Sequence, residues 1–225
     1  KKAAFVCPVS DDLKMAMLKL GLKGNYHPIP NVVDVDIFKP TNNKEQQFTI
    51  VHVSSMLDQH KNISGMLNVA KELENEIGTF TWKFIGGSSV DFDELIDDLN
   101  FNKANIQFIE HLSQNEVAEH LQTSNVFVLF SNYENLPCVI LEAFSCGIPV
   151  ISTNVGGISE YFPSEFGYLI DPNDKEQLLQ KIKGVYQLPI SKSKSMHMYV
   201  KKQFSKEVIA TRFSELYYKT LKHNS

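Results

Sequence analysis

Stretches rich in apolar and β-branched residues alternate with amphipathic helical stretches along this chain, and that alternation constrains its fold more than any other feature. Strands that read as near-continuous apolar runs are buried on both faces, as in a parallel sheet whose crossover helices cover both sides. The pattern predicts strands at residues 3–7, 48–53, 81–85, 106–109, 126–130, 149–152 and 167–170. Ser10 can cap a helix that runs through Leu20 and ends at Gly21. Asn62 can cap another through Glu76, with Ile63, Met66, Leu67 and Ala70 at apolar spacing. Ser113 with Glu116 three positions on forms a capping box. The expected fold class is α/β, a Rossmann-like parallel sheet with helices on both faces.

At roughly 100 to 200 residues per domain, 225 residues hold one domain plus a fragment, or two small ones. With 15 Phe, 8 Tyr and 11 Gly the chain can bury a sizeable core, which excludes disorder and collagen. No apolar run approaches the ~20 residues of a membrane-spanning helix. Three cysteines make no disulfide framework, and Cys138 and Cys146, about 12 Å apart along one helix, are too distant to bridge. With no signal-peptide pattern, a cytoplasmic setting is expected. The opening Lys1-Lys2, without an initiator Met, points to an excised piece.

Charge is unevenly placed. Residues 181–225 carry ten Lys or Arg against Glu207 and Glu215, a local +8, so residues 1–180 hold 12 basic and 24 acidic side chains, or −12. A body of that charge argues against broad nucleic-acid binding, whereas the basic C-terminal segment could contact an anionic membrane peripherally. Arg212 is the only arginine, so an anion site elsewhere must use Lys, hydroxyls or backbone amides.

Residues 27–47, rich in Pro, Asn and Asp, read as an interdomain linker, so residues 1–26 belong to a different unit from residues 48–203. From Phe204 a helix places Val208, Ile209, Phe213, Leu216 and Tyr217 on one stripe, which must bury against something.

The informative stretch is SNYENLPCVILEAFSCGIPVISTNVGGISEYF, residues 131–162. It follows the strand NVFVLF, so residues 131–136 form the loop at that strand's carboxyl end, where ligands bind in open α/β sheets. Pro137 suits the first position of a helix. The start of that helix, with the amides of Asn135, Leu136 and Cys138, can receive a phosphate. Glu134 precedes it and Glu142 lies about 7.5 Å along its axis. Both acids would be repelled by a phosphate and fit better as acceptors from neutral hydroxyls. A nucleoside diphosphate sugar meets that pattern, with Glu142 on the ribose and Glu134 on the transferred sugar.

Glu134, seven intervening residues and Glu142, followed by EAFSCGIPV and VGGISE, resemble the signature of retaining GT-B glycosyltransferases of the group 1 family. VSDDLKMAMLKLG and IPNVVDVDIFKP resemble the last strand-helix unit of that family's N-terminal, acceptor-side domain and its linker. Residues 48–203 resemble its donor-binding domain, the C-terminal half of a GT-B fold, and residues 204–225 the helix that crosses back. The resemblance implies transfer from a nucleotide diphosphate sugar to a glycan or lipid-linked acceptor bound by the missing N-terminal domain, with no metal required. It implies that Glu134 contacts the donor sugar and Lys61 stabilises the leaving diphosphate. Gly86 and Gly87 would pass near the nucleotide, Ile109 and Glu110 would flank the base, and Asn135, Leu136, Gly156 and Gly157 would hold sugar and phosphate.

Two positions depart from the family pattern. Ser55-Met56-Leu57 stands where Gly-Arg-Leu is usual, which removes one diphosphate cation and leaves the Ser54 or Ser55 hydroxyl as the donor. Asn135 replaces Gly, and Asn tolerates a left-handed backbone. The implied activity is the donor half of a glycosyltransferase, a piece inactive alone. Its rivals are a non-catalytic nucleotide-sugar sensor and a GT-B sugar epimerase. A nicotinamide dehydrogenase is disfavoured because no G-x-G-x-x-G follows the first strand of the complete domain. The residues alone also allow plain turns at Gly86-Gly87 and Gly156-Gly157 and a solvated Lys61. No His spacing suggests a metal site, His52, His60, His111 and His120 included.

Overall fold

The computed structural model describes residues 3–223. Among them, six strands form one sheet: β1 (Thr49–Val53), β2 (Phe80–Ile85), β3 (Ala104–Ile109), β4 (Val126–Leu129), β5 (Val150–Thr153) and β6 (Gly167–Ile170). Every neighbouring pair is parallel, in the order β3-β2-β1-β4-β5-β6. This is the doubly wound arrangement expected from the alternating pattern.

Alternate residues along each strand feed opposite faces. Ile50, Val126 and Val128 join the core made with α3 (Ile63–Ile77) and α7 (Lys175–Gln187). Val51, Phe127 and Leu129 join the core made with α5 (Gln114–Thr123), α6 (Cys138–Ser145) and α8 (Ser193–Phe204). The short α2 (Asp58–Lys61) and α4 (Asp93–Leu99) follow β1 and β2. All three cysteines are free thiols.

The capping motifs resolve unequally. Ser10 caps α1 (Asp11–Lys19), accepting from Leu13 N at 3.0 Å, and Ser113 with Glu116 forms the full capping box of α5. Asn62 does not cap α3. It adopts a left-handed backbone between α2 and α3, and Asp58 accepts from Ser64 N at 2.7 Å instead. The expected strand over residues 3–7 reduces to one bridge, Val6 with Tyr26, because among the described residues no strand lies beside it to extend a ladder.

Residues 27–47 pack onto this unit. Val33 and Phe38 are buried, Val33 N donates to Phe204 O at 2.9 Å, and Ser145 Oγ donates to Phe38 O at 2.5 Å. Lys44 Nζ donates to the carbonyls of Gln122 and Ser124, and Glu45 pairs with Lys83. The final helix, α9 (Lys206–His223), buries Ile209 and Leu216 against Ile29, Phe5 and Cys7, while Phe213 and Tyr217 of the same expected stripe remain exposed. Among the described residues no helix is long and apolar enough to cross a membrane.

Glu74 anchors α3 to the start of β3. Its buried carboxylate accepts from Lys71 Nζ at 2.5 Å and from the amides of Asn102, Lys103 and Ala104 at 3.0–3.1 Å. Burial opposes ionisation, but these donors prevail and bring its pKa down to about 2. A depressed carboxylate pKa contributes stability above the unfolded value that fades as pH falls through the folded one. Glu74→Ala should therefore cost about 3 kcal/mol at neutral pH in urea unfolding. That difference should shrink as pH falls from about 4.5 towards about 2.

Candidate functional site

All six strands run the same way, so their carboxyl ends share one rim, and the strand order reverses between β1 and β4. A crevice at such a reversal is where ligands bind in open α/β sheets. β1 and β4 pair only at Ile50 with Val126 and Val51 with Phe127. Beyond those residues the loops that leave the two strands are joined by side chains.

Asn132, in the loop after β4, donates through N to His60 O at 2.8 Å and through Nδ2 to Gln59 O at 3.0 Å, stitching this loop onto α2. That contact brings Lys61, the last residue of α2, to Glu134: Nζ to Oε1 is 2.5 Å. Ser131 Oγ donates to the same Oε1 at 2.8 Å. Glu134 is 9% exposed and Lys61 20%, so each charge is compensated by the other away from bulk water. Both donors use Oε1, and among the described residues none is hydrogen-bonded to Oε2.

The loop after β5 closes against the same backbone. Thr153 Oγ1 donates to Ser131 O at 2.6 Å, and Gly157 N donates to Asn135 O at 2.9 Å. Gly156 has φ 58°, and a Cβ there would lie 2.0 Å from Glu134 O, so only glycine fits. Pro137 stands one position earlier than expected, as the N-cap of α6, and Leu136 O accepts from Asn31 Nδ2 at 2.7 Å. Asn135 is absent from the residues with positive φ, so the left-handed backbone anticipated there is not adopted, and a side chain is tolerated without strain.

Glu142 is treated differently by its surroundings. It sits half-buried on the face of α6 that carries Cys138 and Cys146, and no hydrogen bond or ion pair links its carboxyl group to Glu134, Lys61 or another described residue. Burial pushes its pKa up to about 7.

On the other side of the crevice, Gly86 and Gly87 donate to Ile109 O at 2.8 and 3.3 Å, tying the end of β2 to the end of β3. A Cβ at Gly86 would fall 2.1 Å from Ser54 O, so backbone crowding alone requires glycine there. Glu110 is exposed at the end of β3, and Ser55 is exposed at the end of β1. Met56 is buried, its side chain against Gly87, in a left-handed conformation with φ 56° that costs roughly 1 kcal/mol. Ser54 departs from its expected part. Its Oγ lies 2.7 Å from His52 Nε2, and because His52 Nδ1 donates to Val128 O, the Ser54 proton is spent on Nε2 rather than on a ligand. The other hydroxyl of this loop, that of Ser55, is exposed at the rim.

Residues 34–203 match the family described as glycosyl transferases group 1. The chain belongs to that family. This glycosyltransferase chain is 26% identical over 223 residues to a phosphatidylinositol N-acetylglucosaminyltransferase polypeptide of Arabidopsis thaliana, covering 96% of this chain and 49% of that protein. It is 30% identical over 173 residues to the UDP-Gal:alpha-D-GlcNAc-diphosphoundecaprenol alpha-1,3-galactosyltransferase of Escherichia coli, covering 68% and 43%. The chain thus spans about half the length of these relatives. Its fold superposes on sucrose-phosphate synthase from Thermosynechococcus elongatus with a TM-score of 0.86 at 24% identity, over all of this chain and 60% of that one. The parallel sheet with its flanking helices matches the Rossmann-like fold of GT-B glycosyltransferases.

Two residues of this glycosyltransferase chain that sequence reasoning does not single out complete the geometry. Ser131 fixes Glu134, and Glu160 accepts from Asp11 N and Asp12 N at 2.8 and 2.7 Å, docking the start of α1 beside Gly157. Ser131 lies three residues before Glu134, a short-range signal, whereas Glu160 meets residues almost 150 positions away.

Gly156→Ala should cost more than about 2 kcal/mol, because φ and the Glu134 carbonyl both oppose a Cβ. Gly184→Ala in α7, where an added Cβ meets nothing within 4 Å, should instead stabilise by about 0.5–1 kcal/mol. Denaturant unfolding of both variants against the wild type checks the contrast.

Proposed function

We propose that residues 48–203 are the donor-binding domain of a retaining glycosyltransferase that moves a sugar from a nucleotide diphosphate sugar to a glycan or lipid-linked acceptor. The observation that carries this reading is the Lys61–Glu134 pair at the rim, with Oε2 of the acid unengaged by any described residue beside the start of α6. The activity for which the Escherichia coli relative is named, a UDP-Gal-dependent transfer to a diphosphoundecaprenol-linked sugar, supports both donor and acceptor class.

In this reading the diphosphate lies at the start of α6, where first-turn amides lack intrahelical acceptors. Glu134 Oε2 accepts hydroxyls of the transferred sugar, and Lys61 stabilises charge as it develops on the diphosphate. The bond between the anomeric carbon and the diphosphate oxygen breaks, and its electron pair leaves with the diphosphate. An acceptor hydroxyl oxygen bonds to the same face of that carbon and its proton passes to the released diphosphate. Glu142 accepts the ribose hydroxyls, a use consistent with a buried carboxyl that lacks a partner. No metal is required in this scheme, because Lys61 and the helix amides face the anion.

The acceptor site, in the same proposal, lies on an N-terminal domain whose last unit is residues 1–26, joined through residues 27–47, with residues 204–225 crossing back to it. The exposed apolar side chains of α1 and α9, Met15, Leu18, Phe213 and Tyr217 among them, support a further covering surface. This chain alone is then a nucleotide-sugar binder with little or no transfer. The same proposal has the protein work in the cytoplasm, and exposed Lys201 and Lys202 on α8 fit peripheral contact with an anionic membrane. A buried Met56 where an arginine is usual also favours a second reading, a nucleotide-sugar sensor without turnover.

Joined to the acceptor domain, the protein should turn over its donor, and Glu134→Ala should lower kcat about a hundredfold or more. Unchanged kcat in that variant contradicts the role of Glu134, and tight binding without turnover in the unmodified protein selects the sensor. A carboxylate accepts two hydroxyls better than a neutral carboxyl does, so donor affinity should weaken about tenfold between about pH 8 and about pH 6 as Glu142 takes up its proton. Isothermal titration of Glu142→Gln should show that dependence removed.

A further inference from the structure

His52 is fully buried and has no part in the reaction drawn above, yet both its ring nitrogens are engaged. Nδ1 lies 2.9 Å from Val128 O on β4, and Nε2 lies 2.7 Å from Ser54 Oγ. A carbonyl oxygen only accepts, so Nδ1 carries the proton and Nε2 presents a lone pair. The Ser54 hydroxyl therefore donates to Nε2, and its own lone pair receives Met56 N–H at 3.1 Å. Each bond in this chain has a single possible direction. Burial brings the pKa of His52 down to about 4, so the neutral ring that the chain of bonds needs is the form present near neutral pH.

The chain of bonds ends on a residue that would not hold its conformation unaided. Met56 is left-handed, although it is neither glycine nor asparagine. Ser55 on one side of it is exposed at the rim, and Leu57 on the other opens α2, whose last residue is Lys61. Release of the Met56 amide would let this turn relax and move the exposed Ser55, whereas Lys61 stays held by Glu134 and by the Asn132 bonds to α2. Resting on the donor-binding reading, we propose that His52 and Ser54 are positioning residues that clamp residues 54–57 in the conformation presenting Ser55 to the donor's diphosphate. The clamp is anchored on β4, the strand that leads to Glu134, so the two sides of the crevice are set from one hydrogen-bonded point.

Calorimetric titration of this chain with UDP, GDP and ADP identifies the nucleoside diphosphate it binds, and the matching monophosphate then serves as the control. Ser54→Ala should weaken binding of that diphosphate about tenfold and of the monophosphate less than about twofold, since the clamped loop faces the outer phosphate. Ser54→Thr, which keeps the hydroxyl, should restore the diphosphate affinity. Amide exchange at Met56 should quicken in Ser54→Ala, while its melting temperature stays within a few degrees of the wild type. Wild-type diphosphate affinity in Ser54→Ala, or equal losses for both nucleotides, would overturn the clamp. A wild-type chain that binds none of the three diphosphates overturns the donor-binding reading itself and the clamp with it.

Discussion

The Lys61–Glu134 ion pair joins two loops at the place where the sheet's own ladder stops joining their strands. β1 and β4 share two register positions and then separate into loops that no backbone hydrogen bond spans in strand fashion. The loops meet again through Asn132, which donates to carbonyls of α2, and through this ion pair. An acid as buried as Glu134 is tolerated because Lys61 and Ser131 both point at it, and loss of the cation would leave a charge away from water. The rim is therefore arranged around one carboxylate oxygen that is satisfied internally and one that is not.

Two glutamates eight positions apart show how environment separates their chemistry. Glu134 has a cation and a hydroxyl, whereas Glu142 has neither, and burial lifts its pKa to about 7. A carboxyl in that state is unfavourable to ionise in the empty protein, and ligand hydroxyls would relieve the penalty.

Much of the fold is legible in the sequence because its signals are local. Strand positions emerge to within two residues from apolar runs, and Ser10 and Ser113 cap helices using donors three residues away. Asn62 fails as a cap because Asp58 reaches past it to Ser64, a competition between neighbours that residue preference does not rank. Residues 3–7 have strand composition, but pairing needs a neighbour, which composition does not supply. In the site, Glu134 and Lys61 stand 73 positions apart, and their meeting is accessible only through resemblance to a family. The part of Ser54 is hidden from the sequence because the direction of its hydroxyl follows from a carbonyl on another strand, through the tautomer of His52.

In the proposed donor site a nucleoside diphosphate seats its phosphates at the tip of α6, between the loops that follow β1 and β4. Amide chemical shifts followed during titration with UDP test it most directly. The largest shifts are expected at residues 55–61, 134–136, 138–139 and 156–157, with α7 and the far ends of the strands unmoved. Shifts concentrated instead on the apolar hollow between Phe5 and Phe213, with those loops silent, would contradict it.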